Sequence, residues 1–243
     1  MTRKNRLIKT ACALVIIVSV LVISLLAIFK GDALGALSNG WGVFKTYTVE
    51  SNILMAAACA VLLYFAYAKK NDMPKWAYTL LLCGTASVMV TFVTVMVFLI
   101  PTRIIRGTDP LVMIKNEMLF LHVLNPILAF ALTALIKDGH AYTRKDCLIA
   151  VIPTVIYSLV YGYSVVIAKT WPDFYGFTFG GNYLLAPVAM LAMYALCYFA
   201  AALVKRVHKA KRLPQKYRAK VKLESSKLQE KPAWIPCDSC SRK

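Results

Sequence analysis

The chain has 243 residues, 59% of them hydrophobic, a mean hydropathy of +0.62 and a formal net charge of +18. Soluble domains average about 45–50% apolar residues, and the excess here is gathered into long uncharged runs with the basic residues outside them. That arrangement excludes an ordinary soluble domain, and the lack of ~10-residue segments alternating apolar and polar excludes a β-barrel.

The uncharged windows are Ala11–Phe29, Ser51–Ala68, Trp76–Thr102, Met118–Ile136, Cys147–Ala168 and Phe174–Val204. A helix rises 1.5 Å per residue and needs roughly 20 residues to cross the hydrocarbon core. In lipid the backbone must satisfy its own hydrogen bonds, which leaves helices. The expectation is an all-α, polytopic six-helix transmembrane bundle in one domain. Its spans fall at about 9–29, 48–68, 76–99, 117–136, 146–168 and 183–204, followed by a basic tail at 205–243.

Span one follows a basic head of Arg3, Lys4, Arg6 and Lys9. Its apolar run exceeds the ~7–15 residues of a signal peptide, so it is read as an uncleaved span. Six of the chain's 29 Lys and Arg residues (Lys30, Lys45, Arg103, Arg106, Lys115 and Lys169) fall on one set of loops, and the rest on the other side. The positive-inside rule then predicts both termini in the cytoplasm and a cytoplasmic-membrane location.

Span two opens with "FKTYTVESNIL". At 100° per residue Thr48, Ser51, Asn52, Met55 and Cys59 share one stripe, polar at its outer end, which suits the interior of a bundle. Glu50 lies about 200° from Thr48. Thr48 is alternatively an N-cap, with Glu50 favouring the positive helix end. Thr85, Thr91 and Thr94 of span three carry no assigned role. Span four, "NEMLFLHVLNPILAF", holds the one histidine inside a predicted span. Asn125 and Pro126 share its face, and Pro126 lacks an N–H, so the His122 carbonyl is expected to lose its helical partner. In span five Pro153 predicts a bend, and Tyr157 and Tyr161 share a face as packing residues with tethered hydroxyls. The segment "KTWPDFYGFTFGGNY" is read as an interfacial aromatic belt, or alternatively a lid over an outward cavity.

The tail carries 13 Lys and Arg against Glu224, Glu230 and Asp238, a composition suited to an anionic inner leaflet. Its aromatics, Tyr217 and Trp234, stand far apart, so no base-stacking platform forms and nucleic acid is not expected as a partner. Cys237 and Cys240 make half of a zinc site. No metal or cofactor is predicted, and the oligomeric state is left open.

Thr48 in span two and His122 in span four both fall in the outer half of the membrane and could meet across the bundle. A hydroxyl in reach of an imidazole is the minimum for an activated nucleophile. Asn52 and Asn125 are candidate donors to a developing oxyanion, with Ser51, Tyr157 and Tyr161 as further substrate-binding candidates. No acidic residue on the His122 face orients its ring. A proton relay through Glu50, Glu117 and His122 is a competing reading, as is a non-catalytic site for a lipid or small amphiphile.

"FKTYTVESNIL" resembles the F-x-Y-F-T-x-x-S-N-x-L signature of a bacterial six-span membrane family. "FLHVLNPIL" is similar to that family's L-H-x-x-x-P signature, and Trp171–Tyr175 to its W/Y-P-Y-x-F segment. That family is distantly similar to the eukaryotic androgen-induced membrane hydrolases. These cleave fatty acid esters of hydroxy fatty acids with a threonine nucleophile and a histidine. The resemblance places the threonine at Thr48 and the histidine at His122, and implies a lipid-ester hydrolase. Ser51 stands where the eukaryotic motif has an acidic residue.

Overall fold

A computed structural model describes residues 3–30, 40–69, 73–136, 140–176 and 185–210. Six helices account for most of them: α1 (Arg3–Lys30), α2 (Tyr47–Leu63, carried on by a π turn over Tyr64–Lys69), α3 (Lys75–Ile105), α4 (Glu117–Leu135), α5 (Arg144–Ile167) and α6 (Leu185–Ala210). Each holds a stretch long and apolar enough to cross a membrane, and the described residues contain no strand. The all-helical, six-span expectation is met at this level.

Three boundaries differ from expectation. α1 takes in the basic head from Arg3. α6 runs to Ala210, so Lys205, Arg206, His208 and Lys209 lie on the helix rather than in the tail. α3 passes Leu99 and continues through Pro101 to Ile105. The remainder of the tail, with Cys237 and Cys240, lies outside the described residues.

The third difference has a physical cause that recurs at the candidate site. Proline lacks an N–H, and its ring clashes with the carbonyl four residues back. Ahead of Pro101 the helix widens into a π turn over Val95–Leu99, and the Ile100 N–H reaches back five residues to the Val95 carbonyl. Ahead of Pro126 the same device occupies Phe120–Leu124, with the Asn125 N–H on the Phe120 carbonyl. One wide turn absorbs each proline without ending the helix. In α5 Pro153 acts differently, because the helix breaks at Ala150–Val151 and resumes at Ile152. Two carbonyls there are met by thiols: Ile149 O by Cys83 Sγ at 3.8 Å and Ala150 O by Cys197 Sγ at 3.4 Å.

α3 is the central helix, with 61% of its apolar window buried, whereas α6 buries 17% and lies at the periphery. α3 crosses α2 closely at Gly84, where an added Cβ would sit 2.9 Å from Met55 Cα. Small residues at such crossings let backbones approach. Met55, Leu81, Leu82, Val88 and Leu132 fill the core between α2, α3 and α4. Outward, α1 presents Leu14, Val18, Leu21 and Leu25, and α5 presents Ile152, Ile156, Leu159 and Tyr163. Continuous apolar stripes on exposed faces are unfavourable in water and suit hydrocarbon.

Hydroxyls and amides fix the helix faces. Thr85 pairs with Thr133 at 2.7 Å, joining α3 to α4. Ser19 of α1 donates to Asn125 Oδ1 at 3.0 Å, and Asn125 Nδ2 donates to Asn52 Oδ1 at 2.9 Å. That chain ties α1, α4 and α2 into one unit.

Candidate functional site

The site begins at the start of α2. Thr46 takes the N-cap position with extended backbone, so Thr48 is not the cap. The Thr46 hydroxyl turns back to the Val43 carbonyl at 2.8 Å, leaving first-turn N–H groups of α2 to other acceptors. The Tyr47 N–H finds one in the Tyr175 hydroxyl, at 2.8 Å. Thr48, one residue on, is half-buried with its hydroxyl facing α4.

His122 sits in the π turn of α4, only 4% exposed. Its Nδ1 lies 2.6 Å from the Met113 carbonyl. A carbonyl only accepts, so Nδ1 carries the proton, and in the neutral ring Nε2 is then the acceptor. That nitrogen stands 3.5 Å from Thr48 Oγ1, at the outer edge of hydrogen-bond reach. Met113 ends a short turn, Pro110–Met113, opened by Asp109, whose carboxylate accepts the Leu111 N–H at 2.9 Å and Lys115 Nζ at 3.4 Å. The Leu111 N–H, with help from Lys115, holds the Asp109 carboxyl below the usual carboxylate range. The group that orients the ring is therefore a main-chain oxygen, which no side-chain pattern in the sequence reveals.

Thr48 and His122 open onto one cavity of about 670 Å³, which Arg103, Arg106, Asp173 and Tyr175 also line. Its size falls within the ~300–1,000 Å³ of ligand pockets. A narrow crevice of about 20 Å³ shares Thr48, Leu99 and Tyr175 with the cavity's lining and runs on between Tyr157, Met190 and Met193. Tyr175 thus stands at the junction, and its hydroxyl also interacts with Thr48. Burial pushes that hydroxyl above the ordinary tyrosine value, so it keeps its proton.

Ser51, Asn52 and Asn125 lie elsewhere. Ser51 is buried against Thr91 (3.0 Å) and the Thr48 carbonyl (3.1 Å). Asn52 gives its amide to the Thr48 carbonyl at 2.8 Å and to the Leu121 carbonyl at 3.1 Å. The second contact adds to the expectation for Pro126. The π register sends the Asn125 N–H past Leu121 to Phe120, and Asn52 catches the Leu121 carbonyl that is passed over. With both hydrogens of Asn52 spent and Asn125 bound to it, these amides join helices and are not on the cavity lining. Neither lies on the cavity where an oxyanion donor was expected.

Tyr157 and Tyr161 are tethers that line the crevice. Tyr157 donates to the Lys45 carbonyl at 2.8 Å, and Tyr161 to Asp173 Oδ1 at 2.6 Å. Glu50 is exposed, and neither it nor Glu117 lines the cavity, so the described residues form no relay with His122. Among the described residues no cluster of three or more His, Cys, Asp or Glu could hold a metal ion, and Cys12, Cys59, Cys83, Cys147 and Cys197 are free thiols. Reading side chains alone missed Met113, Arg103, Arg106, Asp173 and Tyr175. Asp173 and Tyr175 carried a signal in the aromatic segment, whose described part walls the cavity.

No protein-family model matches the chain, and no match was found among curated proteins or solved structures.

Proposed function

We propose that the chain is a multi-pass protein of the cytoplasmic membrane, both ends inside, that hydrolyses carboxylic esters of lipid-like substrates. The observation that carries this reading is the His122 ring: Nδ1 on a carbonyl, Nε2 toward Thr48 Oγ1, and both residues on one cavity. In this scheme Nε2 takes the Thr48 proton as Oγ1 bonds to the acyl carbon. The Tyr175 hydroxyl donates to the oxygen that gains charge, in the role assigned from sequence to the asparagines. The C–O bond to the alcohol breaks, and the imidazolium returns its proton to the leaving oxygen. Water, deprotonated by Nε2, then attacks the acyl-threonine, and the carboxylic acid leaves as Thr48 is regenerated. The 3.5 Å separation exceeds the ~2.6–3.2 Å of an assembled pair, as expected before substrate is bound.

Six apolar helices and the basic excess beside one set of their ends support the location. A substrate that partitions into lipid then reaches Thr48 without crossing water. The spent amide of Asn52 favours a second reading, in which the cavity holds an amphiphile without cleaving it. Fluorophosphonate labelling of the purified protein separates the two. Labelling lost in both Thr48→Ala and His122→Gln supports hydrolysis. Labelling that persists in Thr48→Ala rules it out as the nucleophile.

A further inference from the structure

The short turn Pro110–Met113 between α3 and α4 faces two ways. Its last residue, Met113, is buried and gives its carbonyl to His122 Nδ1 at 2.6 Å. The two residues before it, Leu111 and Val112, are 47% and 37% exposed. Ile105, at the end of α3 against which the turn lies, is 85% exposed. Large apolar side chains gathered on a surface mark a place that something apolar covers.

The hydrogen bond to His122 says what lies within reach. His122 stands more than one turn inside α4, a helix long and apolar enough to cross a membrane. A carbonyl that touches its ring is drawn down beside the span rather than held out in water. Within a turn of His122, Leu119 and Phe120 of α4 are exposed as well. Apolar exposure therefore runs from the helix to the turn at one depth, where acyl chains meet headgroups. The charges that flank the turn, Asp109 and Lys115, pair with each other at 3.4 Å.

The turn is weakly closed from within. The Asp109 carboxylate accepts the Leu111 N–H at 2.9 Å, and the Leu111 carbonyl accepts the Ile114 N–H at 3.0 Å. The Lys115–Asp109 pair is half exposed, and such pairs contribute little. A single 3₁₀ turn is not stable alone. Burial of two branched side chains is the larger effect.

We propose that the Pro110–Met113 turn is a membrane-docking surface: Leu111 and Val112 seat in the phospholipid leaflet on the site's side of the bundle, and this contact holds the Met113 carbonyl on His122. The docking stands apart from the hydrolase reading, and only its effect on turnover rests on that reading.

The test uses the full chain in phosphatidylcholine nanodiscs. Val112→Trp adds emission to that of the four native tryptophans, and bromine on the upper acyl chains is expected to quench most of the addition. No added quenching, as when water or a second copy covers the turn, overturns the docking. The native turn supplies the second arm, read by ¹⁵N spectra of the histidine rings with His122→Gln identifying the His122 signals. The parent chain is expected to show His122 protonated at Nδ1 alone. Leu111→Ser/Val112→Ser brings in the other tautomer, and Leu111→Met/Val112→Ile keeps the parent pattern. A ring pattern unmoved in the serine variant overturns the link to the site.

Hydrolysis of a short-chain ester in the same nanodiscs is the third arm. The rate follows the fraction of molecules with the ring in place, so kcat is expected to fall by about three- to tenfold in the serine variant with KM little changed. A parent chain that cleaves no ester, or a serine variant that keeps its kcat while its ring pattern changes, counts against the hydrolase reading alone. Quenching together with the tautomer change upholds the docking in either case.

Discussion

His122 and His208 are both buried, and each gives one ring nitrogen to a main-chain carbonyl at 2.6 Å: His122 to Met113, His208 to Ile136 just past the end of α4. They differ in what surrounds the rest of the ring. His122 turns Nε2 toward a hydroxyl on a cavity wall. His208 packs against Tyr142, with ring centres 5.0 Å apart, and Tyr142 packs in turn on His140. His140 meets Asp146 at 2.9 Å, which in isolation looks like an acid–base pair. Yet the Asp146 carboxylate also accepts from the Thr143 N–H and hydroxyl, both at 2.7 Å, and from Thr79 at 3.1 Å. A carboxylate satisfied on every side by groups that cap α5 and bind α3 is an anchor. Chemistry needs a second partner able to give up a proton and space for a substrate beside it. Only the first histidine has both among the described residues.

The sharpest way to break this comparison is to damage each end and ask which property fails. On the hydrolase reading, His122→Gln removes the proposed base, and ester hydrolysis is expected to fall by roughly 10²–10⁴-fold, with Thr48→Ala at least as damaging. A His122→Gln protein that keeps its rate would put the two histidines on the same footing. Asp146→Ala does the reverse. It strips the acceptor from Thr79 and the α5 cap at a cost of about 2–4 kcal/mol, while activity per folded molecule stays the same. A thermal melt beside an activity titration reads both.

Between the two ends, Gly84→Ala probes the α2–α3 crossing. The added methyl meets Met55 backbone at 2.9 Å, so about 1–3 kcal/mol of overpacking is expected. Because α2 carries Thr48, the Thr48–His122 geometry should loosen too, seen as a lower kcat in the surviving fold. The smallest effect is expected from His208→Gln. Glutamine can still donate to Ile136, so stability should drop by about 1 kcal/mol or less, with no change in turnover. A large loss of turnover there would show that the opposite end reaches the site.

The contrast also explains what could be read in advance. The stripe of Ser51, Asn52, Met55 and Cys59 does face the interior, because helical periodicity is a property of the chain itself. The pairing of Thr48 with His122 was legible because both sit early in predicted spans that enter from the same side. The roles of Asn52 and Asn125 were not legible. Whether an amide faces a cavity or a neighbouring carbonyl depends on a π register that Pro126 imposes and on a carbonyl 69 residues away in sequence. Arg103 was counted only as a loop charge, because the sequence pattern ended span three at Leu99. The widened turn before Pro101 carries the helix on and brings Arg103 and Arg106 to the cavity.

Six helices, their order and their apolar faces followed from the sequence by itself, because hydrocarbon-length uncharged runs leave the backbone one way to satisfy its hydrogen bonds. Which polar groups share a cavity was decided by the tertiary structure alone. A hydroxyl and an imidazole meet at the edge of one cavity only when packing leaves an empty volume beside them and spends the neighbouring amides elsewhere. Volumes and spent hydrogen bonds belong to the packed helices, not to any one of them.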